Sequence, residues 1–180
     1  MAVYASPVTA EVTQLSMSDQ QISEISEASF EFRPPERGWL PLNFRFGRFA
    51  LELHASVVSN DPLEELIDWG QYVLDGTTGF RRVCFWLEPD GYALDVFAGR
   101  QDLVKVRIAS AEDFHPPMTI YPMKTEFVCL VQRRILGLEL YHALARFIES
   151  AEPELYTHWY ADSSRYQHRM AVFRKLADEC

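Results

Sequence analysis

The sequence predicts an α+β fold, an antiparallel sheet of about five to six strands with two or three helices packed mainly on one face. Three observations predict it. The middle of the chain alternates apolar and polar residues, and its connections are too short for crossover helices, which leaves sequential antiparallel pairing. Stretches before and after that region carry apolar residues at helical spacing. Finally, 180 residues, 48% of them hydrophobic and 24% charged, suit one domain with its own core.

Residues 1–24 are rich in Ser, Thr and Gln and read as an N-terminal arm, followed by a single domain over 25–180. Phe30 and Phe32 alternate with Glu31 and Arg33 in a first strand that Pro34-Pro35 ends. Leu42, Phe44 and Phe46 begin a second apolar row. At Gly47 the phase shifts, and Phe49, Leu51, Leu53, Ala55 and Val57 continue it, which predicts a bulge or tight turn there. Asn60-Asp61-Pro62 has helix-start chemistry: Asp61 can cap free N–H groups, Pro62 suits the first helical position, and Gly76 marks the end. Leu63, Leu66, Ile67, Gly70, Val73 and Leu74 share one arc of this helix. Asp61, Glu64, Glu65, Asp68, Tyr72 and Asp75 share the opposite arc.

Residues 83–87 lead into Glu88-Pro89-Asp90-Gly91, which favours a type I turn, and residues 92–97 return. A further turn at residues 99–102 leads to Val104, Val106 and Ile108, completing a meander. In it, Phe85, Leu94, Val106 and Leu53 should face the helices. Alternation then turns Glu52, His54, Trp86, Asp95, Phe97, Lys105 and Arg107 to the other face, where mixed charges can pair across strands and Trp86 and Phe97 leave an apolar patch suited to a partner or to a covering segment such as the N-terminal arm. Residues 126–132 fit a strand better than a helix start. Residues 133–150 form a largely buried helix with Glu139, His142, Arg146 and Glu149 on a narrow polar edge. A last helix starts at Ser163 or Ser164 with the stripe Tyr166, Met170, Phe173 and Ala177.

Several chemistries are disfavoured. The eight glycines include no GxG pair or Walker-type loop, and there is no GxSxG, HExxH or CxxC. Glu139 and His142 have the i, i+3 spacing of a di-iron ligand pair, but in one copy only; His158 and His168 lack close partners. No metal, no cofactor and no catalysis is expected. Cys84 and Cys129 sit in apolar segments and Cys180 ends the chain, which reads as reduced thiols; Cys129 near Arg133 is also weighed as an activated thiol. The opening MAVYASPVTAEVTQLS has no secretory pattern and no apolar run approaches the roughly 20 residues that cross a bilayer, so a cytoplasmic chain without membrane contact is expected.

The charge is uneven. The net charge is −9, and residues 1–30 contribute Glu11, Asp19, Glu24 and Glu27 while residues 59–79 contribute Asp61, Glu64, Glu65, Asp68 and Asp75, with no Lys or Arg in either segment. Such a distribution repels nucleic acid and attracts a basic protein. The acidic helix lacks the mixed signs that give i, i+4 pairs, and Asp75 lies at the end where the helix dipole disfavours a negative charge. A solvated helix face also accounts for these charges; the local cost favours a use. The expected partner-binding surface is therefore Asp61, Glu64, Glu65, Asp68, Tyr72 and Asp75.

The SNDPLEEL helix start, the FWLEPDGYALDV hairpin and the late ILGLELYHALARFIES helix, within residues 40–150, resemble the small α+β immunity proteins that bacteria encode beside polymorphic toxins. The resemblance implies a stoichiometric inhibitor that binds the catalytic domain of a toxin, often a basic nuclease. The alternative is a small enzyme or small-ligand binder on the exposed sheet face, marked by a pocket gathering His54, Arg107 and Asp95, or by the aromatic loop around His158. A third reading is an oligomeric domain whose acidic face serves solubility.

Overall fold

The computed structural model describes residues 22–56, 60–112, 123–150 and 163–180. Among them the chain forms β1 (Ser23–Ile25), β2 (Ala28–Phe32), β3 (Trp39–Phe46), β4 (Phe49–Ser56), helix α1 (Pro62–Leu74), β5 (Gly79–Trp86), β6 (Gly91–Ala98), β7 (Leu103–Ala111), β8 (Lys124–Gln132), α2 (Arg133–Ser150) and α3 (Ser163–Asp178). The α+β class and the helices match expectation. The sheet differs: it has eight strands in the order β1-β8-β7-β6-β5-β4-β3-β2 and is mixed, because β1 runs parallel to β8. One added strand comes from Gly47, whose φ of 58° makes a two-residue hairpin that opposes Phe46 to Phe49. The other, β1, is three residues long and begins at Ser23, where alternation is too brief to register.

The two ends of this strand order are consecutive in sequence. Only Ser26 and Glu27 separate β1 from β2, so the sheet coils back toward itself. Its inner side supports that geometry: α2 packs against both β2 and β8, and Phe127 of β8 stacks on Phe49 of β4 with centroids 4.3 Å apart. Leu53, Phe85, Leu94 and Val106 all lie in the core as the alternation required, joined by Leu136, Leu140, Leu144 and Phe147 of α2 and by Tyr166, Met170 and Phe173 of α3. Glu139, His142, Arg146 and Glu149 form the exposed edge of α2.

The three helices meet closely. An added Cβ at Gly70 of α1 would lie 2.3 Å from Phe173 of α3, and one at Gly137 of α2 would lie 2.3 Å from Leu74 of α1. Both helices cross where a side chain has no room. Residues 88–91 depart from the type I expectation, since the Glu88-Pro89 peptide is cis and the Leu87 N–H bonds the Asp90 carbonyl at 2.7 Å.

Among the described residues the ladder is weakest between β4 and β5, where the register pair is Ser56 opposite Trp86. β5 ends at Trp86, so Ala55 and the earlier residues of β4 have no described ladder partner on that side. A cleft opens there beside β4.

Candidate functional site

Asp61 caps α1, as its sequence position requires: its Oδ1 accepts the Leu63 N–H at 3.0 Å and the Glu64 N–H at 3.2 Å, while its Oδ2 accepts the Tyr166 hydroxyl of α3 at 2.5 Å. Glu64 pairs with Arg165, at 2.6 Å, and with Arg169, which also grips Asp68. Glu65 turns toward the sheet, where its carboxylate accepts the Cys84 N–H at 3.0 Å. Asn60 donates to the Cys84 carbonyl at 2.9 Å. These two side chains satisfy both backbone groups of Cys84.

The remaining two residues are also engaged locally. Asp75 is exposed at the end of α1, and its Oδ1 accepts the Thr77 N–H at 2.7 Å, an Asx-type bond that accounts for an acid at the unfavourable pole. Tyr72 is 7% exposed and packs in the core with Arg81 over its ring, so it lies inward rather than on the acidic arc.

The helix without cations is therefore supplied with them by the rest of the chain. Arg165 and Arg169 come from α3. Arg133, at the start of α2, donates to the carbonyls of Val73 and Thr77 at 3.2 Å each and to that of Gly99 at 3.0 Å, placing a positive charge at the C-terminal pole of α1. The expectation that every charge of α1 lies on the outside is corrected for Glu65, which turns to the sheet, and Tyr72 of the same arc is buried; Glu64 and Asp68 are paired with arginines of α3. No signal in the sequence joins Glu64 to residues a hundred positions later.

A second region lies beside β4. It is an open cleft of about 1080 Å³ lined by Glu52 and His54 of β4 and by Asp90, Tyr92, Glu112, Lys124 and Glu126. Arg33 pairs with Glu52. Glu126 accepts the Ser110 hydroxyl at 2.6 Å and pairs with Lys124 at 3.1 Å, and these contacts, the Ser110 bond foremost, hold its carboxyl below the ordinary range. Among the described residues Asp90 and Glu112 have no cationic partner. Sequence reading missed this cleft because its walls come from strands far apart in the chain.

The outer face of the meander is a third region. Asp95 is fully buried there between two arginines, with Arg82 Nε at 2.6 Å and Arg107 Nη2 at 2.5 Å. His54 lines the cleft, whereas Arg107 and Asp95 are not among its walls, so the pocket expected to gather all three is replaced by two separate places. The loop around His158 lies outside the described residues. Cys129 is fully buried, and burial pushes its thiol up to about 12; burial likewise pushes Cys84 up to about 11. The activated-thiol reading of Cys129 is thereby corrected. Among the described residues no three potential metal ligands converge, and no helix is long and apolar enough to cross a membrane.

No family model matches the sequence, and no curated protein matches it. Among solved structures, the chain is similar to a chain of the CdiA-CT/CdiI toxin and immunity complex from Enterobacter cloacae, at 10% identity and a TM-score of 0.42, over 67% of this chain and 99% of that one.

Proposed function

We propose that the chain is a stoichiometric protein-binding protein of the immunity type, which receives a cationic segment of a toxin partner in the cleft beside β4. The observation that carries this reading is the contrast between two acidic regions. The carboxylates of α1 hold their own molecule together, through Tyr166, Arg165, Arg169 and the Cys84 amide. Those at the cleft include Asp90 and Glu112, whose charge no described cation offsets, on a concave surface large enough for several side chains. Desolvating an already satisfied carboxylate costs free energy, whereas an uncompensated one gains a partner. The docking role expected of Asp61, Glu64, Glu65, Asp68, Tyr72 and Asp75 therefore passes to the cleft, with Asp68 and Asp75 as the exposed members of the original set.

The test is to express the products of the neighbouring reading frames, select any that arrests growth, and co-express it with this chain, reading growth rescue and direct binding. Asp90→Lys with Glu112→Lys is expected to abolish rescue and flatten the salt dependence of binding, while Asp75→Asn leaves both intact. Full rescue by the double reversal overturns the cleft as the binding surface; the lack of any complex with the unaltered chain overturns the immunity reading.

A further inference from the structure

The outer face of the meander carries an aromatic and cationic row that no described element covers. Phe80 of β5 lies opposite Phe97 of β6, Phe97 opposite Lys105 of β7, Lys105 opposite Leu130 of β8, and Leu130 opposite Glu24 of β1. Phe80 is 48% exposed and stands 5.0 Å from Phe97, with Lys105 4.7 Å over the Phe97 ring and Arg82 5.4 Å over that of Phe80. Arg107 completes the group, 5.6 Å from Phe97. Two anions belong to the row: Glu24, at its β1 end, and Asp95, which is sealed beneath the arginines; Arg82, Lys105 and Arg107 outnumber them, so an acidic molecule presents around Phe97 a surface of net positive charge with an apolar centre.

Charge selects the occupant. A second copy seated through the same patch would set like charges against each other. Residues 1–21 fit: they contain Glu11 and Asp19 and no Lys or Arg, together with Val3, Tyr4, Val8, Val12 and Leu15. They join the sheet at β1, three strands from β6, a separation of about 14 Å at the usual strand spacing of ~4.8 Å. A segment of this length reaches several times that distance at ~3.3 Å per residue. Tethering at the edge of the same sheet gives an effective concentration in the millimolar range, so a weak contact suffices. We propose that residues 1–21 cover the Phe80–Phe97 patch in cis, with Glu11 and Asp19 meeting Lys105, Arg82 and Arg107.

The experiment uses the full chain with a photoreactive benzoylphenylalanine at position 80, and a control label at position 172, an exposed valine on α3. After irradiation of dilute protein, the label at 80 is expected to cross-link within the same chain to residues 1–21, and the control is not. Glu11→Lys with Asp19→Lys should lower the yield several-fold, and adding Lys105→Glu should restore part of it. Both leader positions precede the first strand, so the thermal midpoint is expected to hold. Cross-links to a second copy, no cross-link to residues 1–21, or a yield indifferent to the charge reversal would each overturn the proposal.

Discussion

The Glu65 carboxylate of α1 and the Cys84 amide of β5 meet at 3.0 Å. A side chain here satisfies a backbone donor. Because the carboxylate is largely removed from water, burial raises its pKa above the ordinary 4.5, against the opposing pull of the Cys84 and Asn60 hydrogen bonds. A raised native pKa means that the folded chain keeps a proton the unfolded chain has lost. Stability from this group therefore falls as pH rises from 4.5 through the raised value, then levels off. Glu65→Gln retains an oxygen for the Cys84 N–H and removes the charge. It should flatten this part of the pH dependence and leave the variant at least as stable as the parent at pH 7, as measured by urea midpoints across the interval.

Tyr166→Phe tests the bond that ties α3 to the cap of α1. The hydroxyl donates to the charged Asp61 at 2.5 Å, and a bond of that kind contributes about 1.5–3 kcal/mol. The expected loss is near the lower end, about 1.5 kcal/mol, because Asp61 keeps its two amide donors. Equilibrium denaturation checks it; an unchanged midpoint contradicts the role given to α3.

Gly70→Ala separates propensity from packing. In an isolated helix the change stabilises by about 1 kcal/mol. Here the new methyl meets Phe173 at 2.3 Å and Leu140 at 3.1 Å, so the variant should lose about 1–3 kcal/mol instead.

Removing Asp95 leaves Arg82 and Arg107 facing each other with no anion between them. Asp95→Ala is expected to cost about 3 kcal/mol, as for other buried pairs that lose one member. Replacing Arg107 alone should cost less, since Arg82 still contacts both carboxylate oxygens.

Thiol labelling gives a simple readout. With Cys84 and Cys129 shifted up to about 11 and about 12, alkylation of the native chain at pH 7.5 should modify Cys180 and spare the other two. Mass spectrometry after digestion decides; rapid labelling of Cys129 would mean that the β7–β8 layer opens readily.

Local chemistry was legible in the sequence, and tertiary neighbours were not. Asp61 and Pro62 announced the start of α1, alternation assigned Leu53, Phe85, Leu94 and Val106 to the core, and the stripe Tyr166, Met170, Phe173 placed α3. A helical wheel gives the direction of the core but not the number of surfaces around the helix. Glu65 and Tyr72 lie at the edge of the acidic arc, and β5 packs along that edge; Glu64 and Asp68 lie toward α3. The lack of cations in α1 was visible, but its resolution required Arg133, Arg165 and Arg169 to arrive from other elements. The cleft was equally hidden, because it arises from pairing that β4 and β5 do not make.

The parallel seam between residues 23–25 and 129–131 sets an order on biosynthesis. As the nascent polypeptide leaves the ribosome, β2 can pair with β3 and β3 with β4, then β5 with β6 and β6 with β7, each within a short stretch of freshly made chain. The first strand waits until more than a hundred further residues have been translated. Being only three residues long, it offers little template for mispairing during that wait.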